Sequence, residues 1–273
     1  MAALFVINLA RSTQRLANTQ TQLARVSLPF ERIDAVDGAQ LSTLQKYLHY
    51  SPQLNKQQYH YPLSNGQIGC YLSHRKAWQK IVDEKLKYAI VLEDDFYIDD
   101  SIHNAIKNIE QLQQPWQLIK LAAYENRTRP IAYQQNLNNH QRLVIHKKLM
   151  TGCCATAISY EGAKQLLKAT AQFGRPVDCD LQHIWETHVN GSSLMPYPVS
   201  QNTDIQIYRY TDIQSDIASC ATKTKVKKAF LRRKAQQIKS CIFNKVYTSA
   251  FVKKFKQNEK GASKAPSLIT QRL

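Results

Sequence analysis

A chain of 273 residues, 43% hydrophobic and 21% charged, has the composition of a globular protein, with room for one large α/β domain plus an appendage or for two small domains. No apolar run approaches the roughly 20 residues that a membrane-spanning helix requires. The net charge of +17 is concentrated: residues 221–273 hold 15 Lys/Arg against Glu259 alone, or +14, whereas residues 1–220 hold 22 Lys/Arg against 19 Asp/Glu, or +3.

That asymmetry divides the chain into a nearly neutral catalytic or binding body, 1–220, and a basic attachment segment, 221–273. It also speaks against a nucleic-acid-binding protein, because the body offers no basic groove and no helix-turn-helix, zinc or RNP motif. The N-terminal Met-Ala-Ala-Leu-Phe-Val-Ile-Asn lacks a basic leader, so a cytoplasmic protein without a signal peptide is expected. The cysteines at 70, 153, 154, 179, 220 and 241 form no CxxC pair and no zinc-finger spacing, and are expected to be thiols.

In chain order, Ala3 to Leu9 reads as a buried strand and Ser12 or Thr13 as the cap of a helix from Arg15 to Val26. Leu28 to Asp34 reads as a second strand, ending at Ala35-Val-Asp-Gly38. Strand, helix, strand at this spacing is a βαβ unit and predicts a parallel sheet. Leu41 to Tyr61 is expected to be a loop with one short helix. Ser64-Asn-Gly-Gln67 has capping-box spacing and opens a helix carrying Ile68, Tyr71, Leu72, Trp78, Ile81 and Val82 on one side. A strand at 88–92 follows, then a helix capped by Asp100 or Ser101, a strand from Trp116 to Leu121, and an irregular loop or hairpin over 126–141. Leu143 to His146 and Cys154 to Ser159 read as strands, Tyr160 to Ala169 as a helix, Pro176 to Gln182 as the lead into a helix through His188, and 194–213 as short strands.

Two acidic clusters stand out. The apolar run Tyr88-Ala-Ile-Val-Leu92 stops abruptly at Glu93-Asp94-Asp95. In an open α/β sheet, ligands bind beyond the carboxyl ends of strands. Three acids there repel one another unless a cation joins them, and a hard divalent ion with a bound phosphate suits such a place. The second cluster, Pro176-Val-Asp-Cys-Asp180, sets two carboxylates two residues apart near a helix start, where an Asp can also simply cap.

The order of these pieces resembles glycosyltransferase family 25, the lipooligosaccharide-biosynthesis transferases. The resemblance rests on Val6-Ile-Asn-Leu-Ala-Arg-Ser-Thr-Gln-Arg15, Leu28-Pro-Phe30, Asp34-Ala-Val-Asp-Gly38, Leu63-Ser-Asn-Gly-Gln-Ile-Gly-Cys-Tyr-Leu-Ser-His74 with Ala77-Trp78, Ala89 to Asp95, Thr151-Gly152, Ile158-Ser-Tyr-Glu-Gly-Ala163 and Pro176-Val-Asp178, in order over about residues 3–205. It implies a GT-A-type, Rossmann-like, mostly parallel sheet flanked by helices. It also implies a UDP-sugar donor (galactose first, glucose next), inversion at the anomeric carbon, and a divalent metal, Mn²⁺ or Mg²⁺. On the family's DxD-like pattern Asp95 is the first-choice metal ligand, with Asp94 a second, and Glu93 or Asp94 faces the ribose. Asp178 or Asp180 is the general base, with Asp178 preferred for its place in the family-like PVD. Asn8, Arg11 and Arg15 follow the first strand, where a turn can wrap a nucleotide and Arg can pair with phosphate. Asp37, Ser73, His74 and Lys76 are candidates for base or ribose contacts, and Thr151 and Gly152 for the acceptor or donor sugar. A late metal-binding His is missing after His188, and Gln201 and Asn202 stand in its place.

In the tail, Val226, Phe230, Ile238, Ile242, Val246 and Ala250 recur at about four-residue spacing among lysines and arginines. A basic amphipathic helix of this kind suits an anionic membrane surface. The resemblance implies a lipooligosaccharide or oligosaccharide acceptor, and the basic tail adds the expectation of a protein peripheral on the cytoplasmic face of the bacterial inner membrane. The alternatives are a nucleic-acid-associated basic binding protein and a sugar-nucleotide binder without turnover.

Overall fold

The computed structural model describes residues 2–123, 129–201 and 230–262. The expected strands beyond 201, Asn202, Cys220, Val226 and both ends of the tail lie outside the described residues, as do 124–128 of the expected hairpin region.

The first strand, β1 (Ala3–Asn8), alternates its side chains between two faces. Leu4 and Val6 join one buried cluster, and Phe5 and Ile7 another. β3 (Tyr88–Glu93) repeats this, with Tyr88, Ile90 and Leu92 on one face and Ala89 and Val91 on the other. Such period-two burial on both sides belongs to a sheet covered on both faces. Helices α1 (Thr13–Arg25) and α5 (Ser101–Glu110) supply Leu23, Ile102, Ala105 and Ile109 to one cluster. Helices α4 (Asn65–Asp83) and α6 (Tyr160–Ala169) supply Ile68, Tyr71, Trp78, Ile81, Ala163 and Leu166 to the other.

The remaining strands are β2 (Glu31–Asp34), β4 (Phe96–Ile98), β5 (Leu118–Lys120), β6 (Ile131–Asn136), β7 (Arg142–His146), β8 (Ala155–Ser159), β9 (Gly191–Met195) and β10 (Val199–Gln201). Eight of the ten form one sheet in the order β2-β1-β3-β8-β5-β9-β7-β6. Six of these eight run in one direction, and β8 and β7 run against them. The α/β class and mostly parallel sheet expected from the sequence are present. The carboxyl ends of β1, β2 and β3 lie side by side, with Ile7 opposite Glu93 and Asn8 opposite Asp34. A separate antiparallel pair, β10 with β4, sets Gln201 opposite Phe96.

Several boundaries differ from expectation. β2 begins at Glu31 and not at Leu28. The 41–61 stretch holds two short helices, α2 (Thr43–Tyr47) and α3 (Pro52–Gln58), each capped by a serine hydroxyl, Ser42 and Ser51. Helices this short carry too few apolar positions to show a period. Residue Asp100 sits at the N-cap of α5 without a capping bond; Asp99 Oδ1 instead accepts from the Ser101 amide at 2.8 Å. The stretch expected to lead from Pro176 into a helix through His188 holds two single turns, α7 (Val177–Asp180) and α8 (Ile184–Thr187).

Helix α9 (Phe230–Ala262) lies in the basic segment and is packed on the body against α8, β6 and β7. Phe255 is 4% exposed and belongs to the same cluster as Val6 and Ile90.

Candidate active site

The turns beyond β1, β2 and β3 are fastened to one another by side chains. Asp94 Oδ2 accepts from Asn8 Nδ2 at 2.6 Å and its Oδ1 from Arg15 Nη1 at 2.9 Å. Asn8 also donates to the Ser12 carbonyl at 3.1 Å and accepts from Arg32 Nε at 3.0 Å. Buried to 1% exposure with its amide saturated, Asn8 holds the turn and does not line the cleft, which corrects its expected nucleotide contact. Burial pushes the Asp94 carboxyl upward against the opposing pull of Arg15 and Asn8. With both oxygens engaged, Asp94 fits a structural clasp better than a metal ligand.

Close backbone contact draws the turn after β2 onto α4. A Cβ on Gly38 would lie 1.8 Å from the Asn65 carbonyl oxygen, and one on Gly69 would lie 2.4 Å from that of Val36. Ser73 Oγ completes the join, accepting from the Val36 amide at 2.8 Å and donating to the Gly69 carbonyl at 2.7 Å. The capping box expected at Ser64 and Gln67 is present and sets where α4 starts. Lys76 donates to the Asp34 carbonyl at 2.6 Å on the exposed side of α4 and does not line the cleft, correcting its candidacy for base or ribose contact.

These joins enclose a cleft lined by Arg11, Arg15, Asp37, Ser73, His74 and Glu93 to Asp95, among others. Arg11 pairs with Asp37 at its rim and is half exposed, so the pair is weak and can open to an anion. A second cavity adjoins it, lined by Tyr59, Tyr61, Gln67, Gly152, Asp178 and Gln201. Cys70, Glu93 and Asp95 line both, so the carboxylates form the threshold between the two spaces.

At this threshold the two acids differ. Burial works against the charge on Glu93, but the hydrogen bond and charge of His74, 3.0 Å away, together with the Lys120 charge, hold its carboxyl below the usual range. Asp95 is pushed up to about 6, first by burial and then by the Glu93 charge. Its Oδ2 accepts from Gln201 Nε2 at 2.9 Å, while its Oδ1 is buried without a hydrogen-bond partner. An orphaned, buried carboxylate oxygen on a residue that lines both spaces fits a hard divalent cation held by one or two carboxylates and substrate phosphates. Cys70, His74 and Glu93 also place their ligand atoms within 4.8 Å of one another, but burial pushes the Cys70 thiol up and it stays protonated, donating toward Glu93.

The two aspartates of the second acidic cluster part company. Asp178 faces the second cavity, and its Oδ2 lies 3.4 Å from the Gly152 amide nitrogen. Asp180 is 5% exposed and accepts from Tyr71 Oη at 2.7 Å and Arg175 Nε at 2.6 Å. Arg175 also pairs with Glu186. Asp180 is thus one corner of a buried ion-pair network and lines neither cavity, which removes it as a base candidate. Gly152, at φ 82°, lines the second cavity, whereas Thr151 does not and leaves its buried Oγ1 without a partner.

Sequence reasoning missed Lys120. Its side chain is fully buried, and its Nζ donates to the Gly152 carbonyl at 2.6 Å. A lysine in a run of apolar residues was the available signal. Tyr59 and Tyr61, from the stretch expected to be loop, were missed as lining residues for the same lack of periodicity.

The family model of glycosyltransferase family 25 (LPS biosynthesis protein) matches residues 1–181. The chain is similar to procollagen galactosyltransferase 2 of Homo sapiens, 29% identical over 195 residues covering 68% of this chain and 30% of that protein. It is likewise similar to a glycosyltransferase 25 family member of Drosophila melanogaster, 27% identical over 202 residues, 71% of this chain and 32% of the relative. Over 124 residues, 43% of this chain and 21% of the other, it is 32% identical to the inactive glycosyltransferase 25 family member 3 of Mus musculus. The chain spans about a third of the length of the first two of these relatives. With two thirds of its length under the family model, including β1 to α7 and nearly all of both cavity walls, the chain belongs to glycosyltransferase family 25.

Proposed function

We propose that the protein is an inverting, GT-A-type glycosyltransferase that moves a hexose from a UDP-sugar to a hydroxyl of a lipooligosaccharide glycan. One observation carries this reading: an arginine-lined cleft and a cavity faced by Asp178, whose carboxylate has a single long amide contact, meet at Glu93 and Asp95. Arg11 and Arg15 suit the diphosphate, and Asp37 the ribose or base. The sugar would then sit at the threshold with its anomeric carbon toward the second cavity.

In the transfer, the acceptor oxygen attacks the anomeric carbon and its proton passes to Asp178. The bond to the β-phosphate oxygen breaks, and UDP leaves with the electron pair. Attack and departure on opposite sides invert the anomeric carbon, and one carboxylate facing the acceptor side suits one displacement with a general base. Mn²⁺ or Mg²⁺, when bound, would supply positive charge against the departing diphosphate. Asp95 Oδ1 would hold it, with Glu93 beside it. Lys120 holds the Gly152 carbonyl, and the Gly152 amide faces Asp178, so this glycine fixes the base relative to the sheet.

Galactose is preferred over glucose because relatives named as galactosyltransferases share the body. The acceptor is placed at the cytoplasmic face of the bacterial inner membrane, with the basic helix on anionic lipid. A sugar-nucleotide binder without turnover is the second reading, favoured by the likeness to a relative named as inactive. Incubation with UDP-galactose or UDP-glucose, Mn²⁺ and a lipooligosaccharide-derived acceptor tests it. Acceptor-dependent UDP release is expected, and donor binding without release from either sugar would favour the second reading.

A further inference from the structure

Over residues 238–248, helix α9 turns a polar row toward the body and an apolar row outward. Ser240, Asn244 and Thr248, spaced four apart, are 6%, 3% and 5% exposed against the body. Ile238, Ile242 and Val246, at the same spacing two positions away, are 61%, 57% and 59% exposed. At 100° per residue these two rows lie on nearly opposite sides of the helix. A helix that merely packs on a globular body does the reverse, turning its apolar stripe inward. The inward row is held by its own bonds: Asn244 Nδ2 donates to the Ser240 carbonyl at 2.8 Å, and Thr248 Oγ1 to the Lys147 carbonyl at 3.4 Å. Further along, Phe251, Val252 and Phe255 anchor the helix to the core. Phe243 rests 5.4 Å from the Trp185 ring.

Charge around the outward row narrows what can cover it. Lys234 and Lys245 lie on one flank and Lys253 at its end, while Lys239 on the other flank lies 3.5 Å from Glu186 of the body, and residues 221–273 contain no acid but Glu259. A second copy of this chain would bring the same lysines against themselves. An anionic lipid surface satisfies both features, taking the apolar row into the acyl boundary and the lysines at the headgroups.

We infer that the outward row Ile238, Ile242 and Val246, with its flanking lysines, is a membrane-docking face, and that α9 is a rigid bracket between bilayer and catalytic body. This deepens the proposed acceptor reading by naming the surface through which the protein would meet a membrane-borne glycolipid, but docking itself needs neither donor nor acceptor. The inward anchoring also changes the choice of variant, since deleting the segment would uncover the Phe255 contact with the core.

The test is co-sedimentation of the full chain with vesicles of phosphatidylcholine alone or with one quarter phosphatidylglycerol, without donor or acceptor, from 50 to 500 mM salt. Anionic vesicles should bind the protein at least tenfold more tightly than neutral ones, with the difference shrinking as salt rises. Ile242→Asp with Val246→Asp should lower that binding at least tenfold, and Lys245→Glu with Lys253→Glu should remove the salt dependence. Transfer to a soluble oligosaccharide should stay unchanged in both variants, so failure of docking and failure of the transferase reading are read separately. Absence of binding to anionic vesicles, equal binding by the aspartate variant, or a dimer that the aspartate variant dissociates would each overturn the inference.

Discussion

Asp178 and Asp180 are two residues apart, carry the same group and have opposite expected roles, so replacing each by Asn separates chemistry from folding. Asp180 is buried between Arg175 and Tyr71. Removing one partner of a buried ion pair costs about 3–5 kcal/mol, because the other charge is left uncompensated. Glu186 keeps a second carboxylate on Arg175, which sets the expectation for Asp180→Asn at the lower end, about 3 kcal/mol. For a chain of this size that is a fall of about 6–12 °C in Tm. Asp178 has one amide contact at 3.4 Å and faces open cavity, so Asp178→Asn should change stability by no more than about 0.5 kcal/mol. Its turnover should fall about 10²–10⁴-fold, the range of a lost general base, while donor affinity stays near wild type. Thermal unfolding, donor titration and initial transfer rates on both variants decide it. A wild-type Tm with lost turnover in Asp180→Asn, or turnover within tenfold of wild type in Asp178→Asn, would refute the assignment.

Asp95→Asn should abolish transfer yet stabilise the ligand-free fold. With Asp95 raised to about 6 from an ordinary value of about 4, its ionisation opposes the folded state, so the wild type should lose stability relative to Asp95→Asn as pH rises from about 4 to 6, by about 3 kcal/mol. The same shift predicts that metal-supported donor binding weakens as pH falls through 6, which calorimetric titration at pH 5.5 and 7.5 would show. Arg11→Ala should raise the donor KM about tenfold with Tm unchanged, since its pair with Asp37 is exposed, and an unchanged KM would remove Arg11 from the donor site. Lys120→Met should lower kcat more than it raises KM and shift the acidic limb of the pH–rate profile, because Gly152 loses its anchor and Glu93 a neighbouring charge; a uniform loss of folded protein with an unchanged profile would mean a purely structural lysine.

The parts of the site legible in the sequence were those that local pattern fixes. Tyr88 to Leu92 declares a strand and its end by itself, and Ser64 with Gln67 declares the start of α4. The hidden parts are pairings across long separations. Asp94 meets Arg15 and Asn8 over 79 and 86 positions, and Gln201 meets Asp95 over 106. No periodicity reports such contacts. Gln201, in a place where a metal-binding His was expected, instead steadies one oxygen of Asp95 and leaves the other orphaned. The choice between Asp178 and Asp180 was open for a geometric reason: two residues in one helical turn point about 200° apart, and spacing does not say which side meets the cavity. The tail shows the same limit in reverse, because the period of Ile238, Ile242 and Val246 predicts α9 but not that this row faces outward.

The central claim is transfer with inversion through a base on the far side of the anomeric carbon from the diphosphate. It is tested most directly by proton NMR of the product formed from an α-linked UDP-hexose, followed from the first turnovers. The account predicts a β-linked hexose on the acceptor, one UDP released per linkage formed, and loss of both signals in Asp178→Asn. An α-linked product, or a β-linked product formed at an unchanged rate by Asp178→Asn, would contradict it.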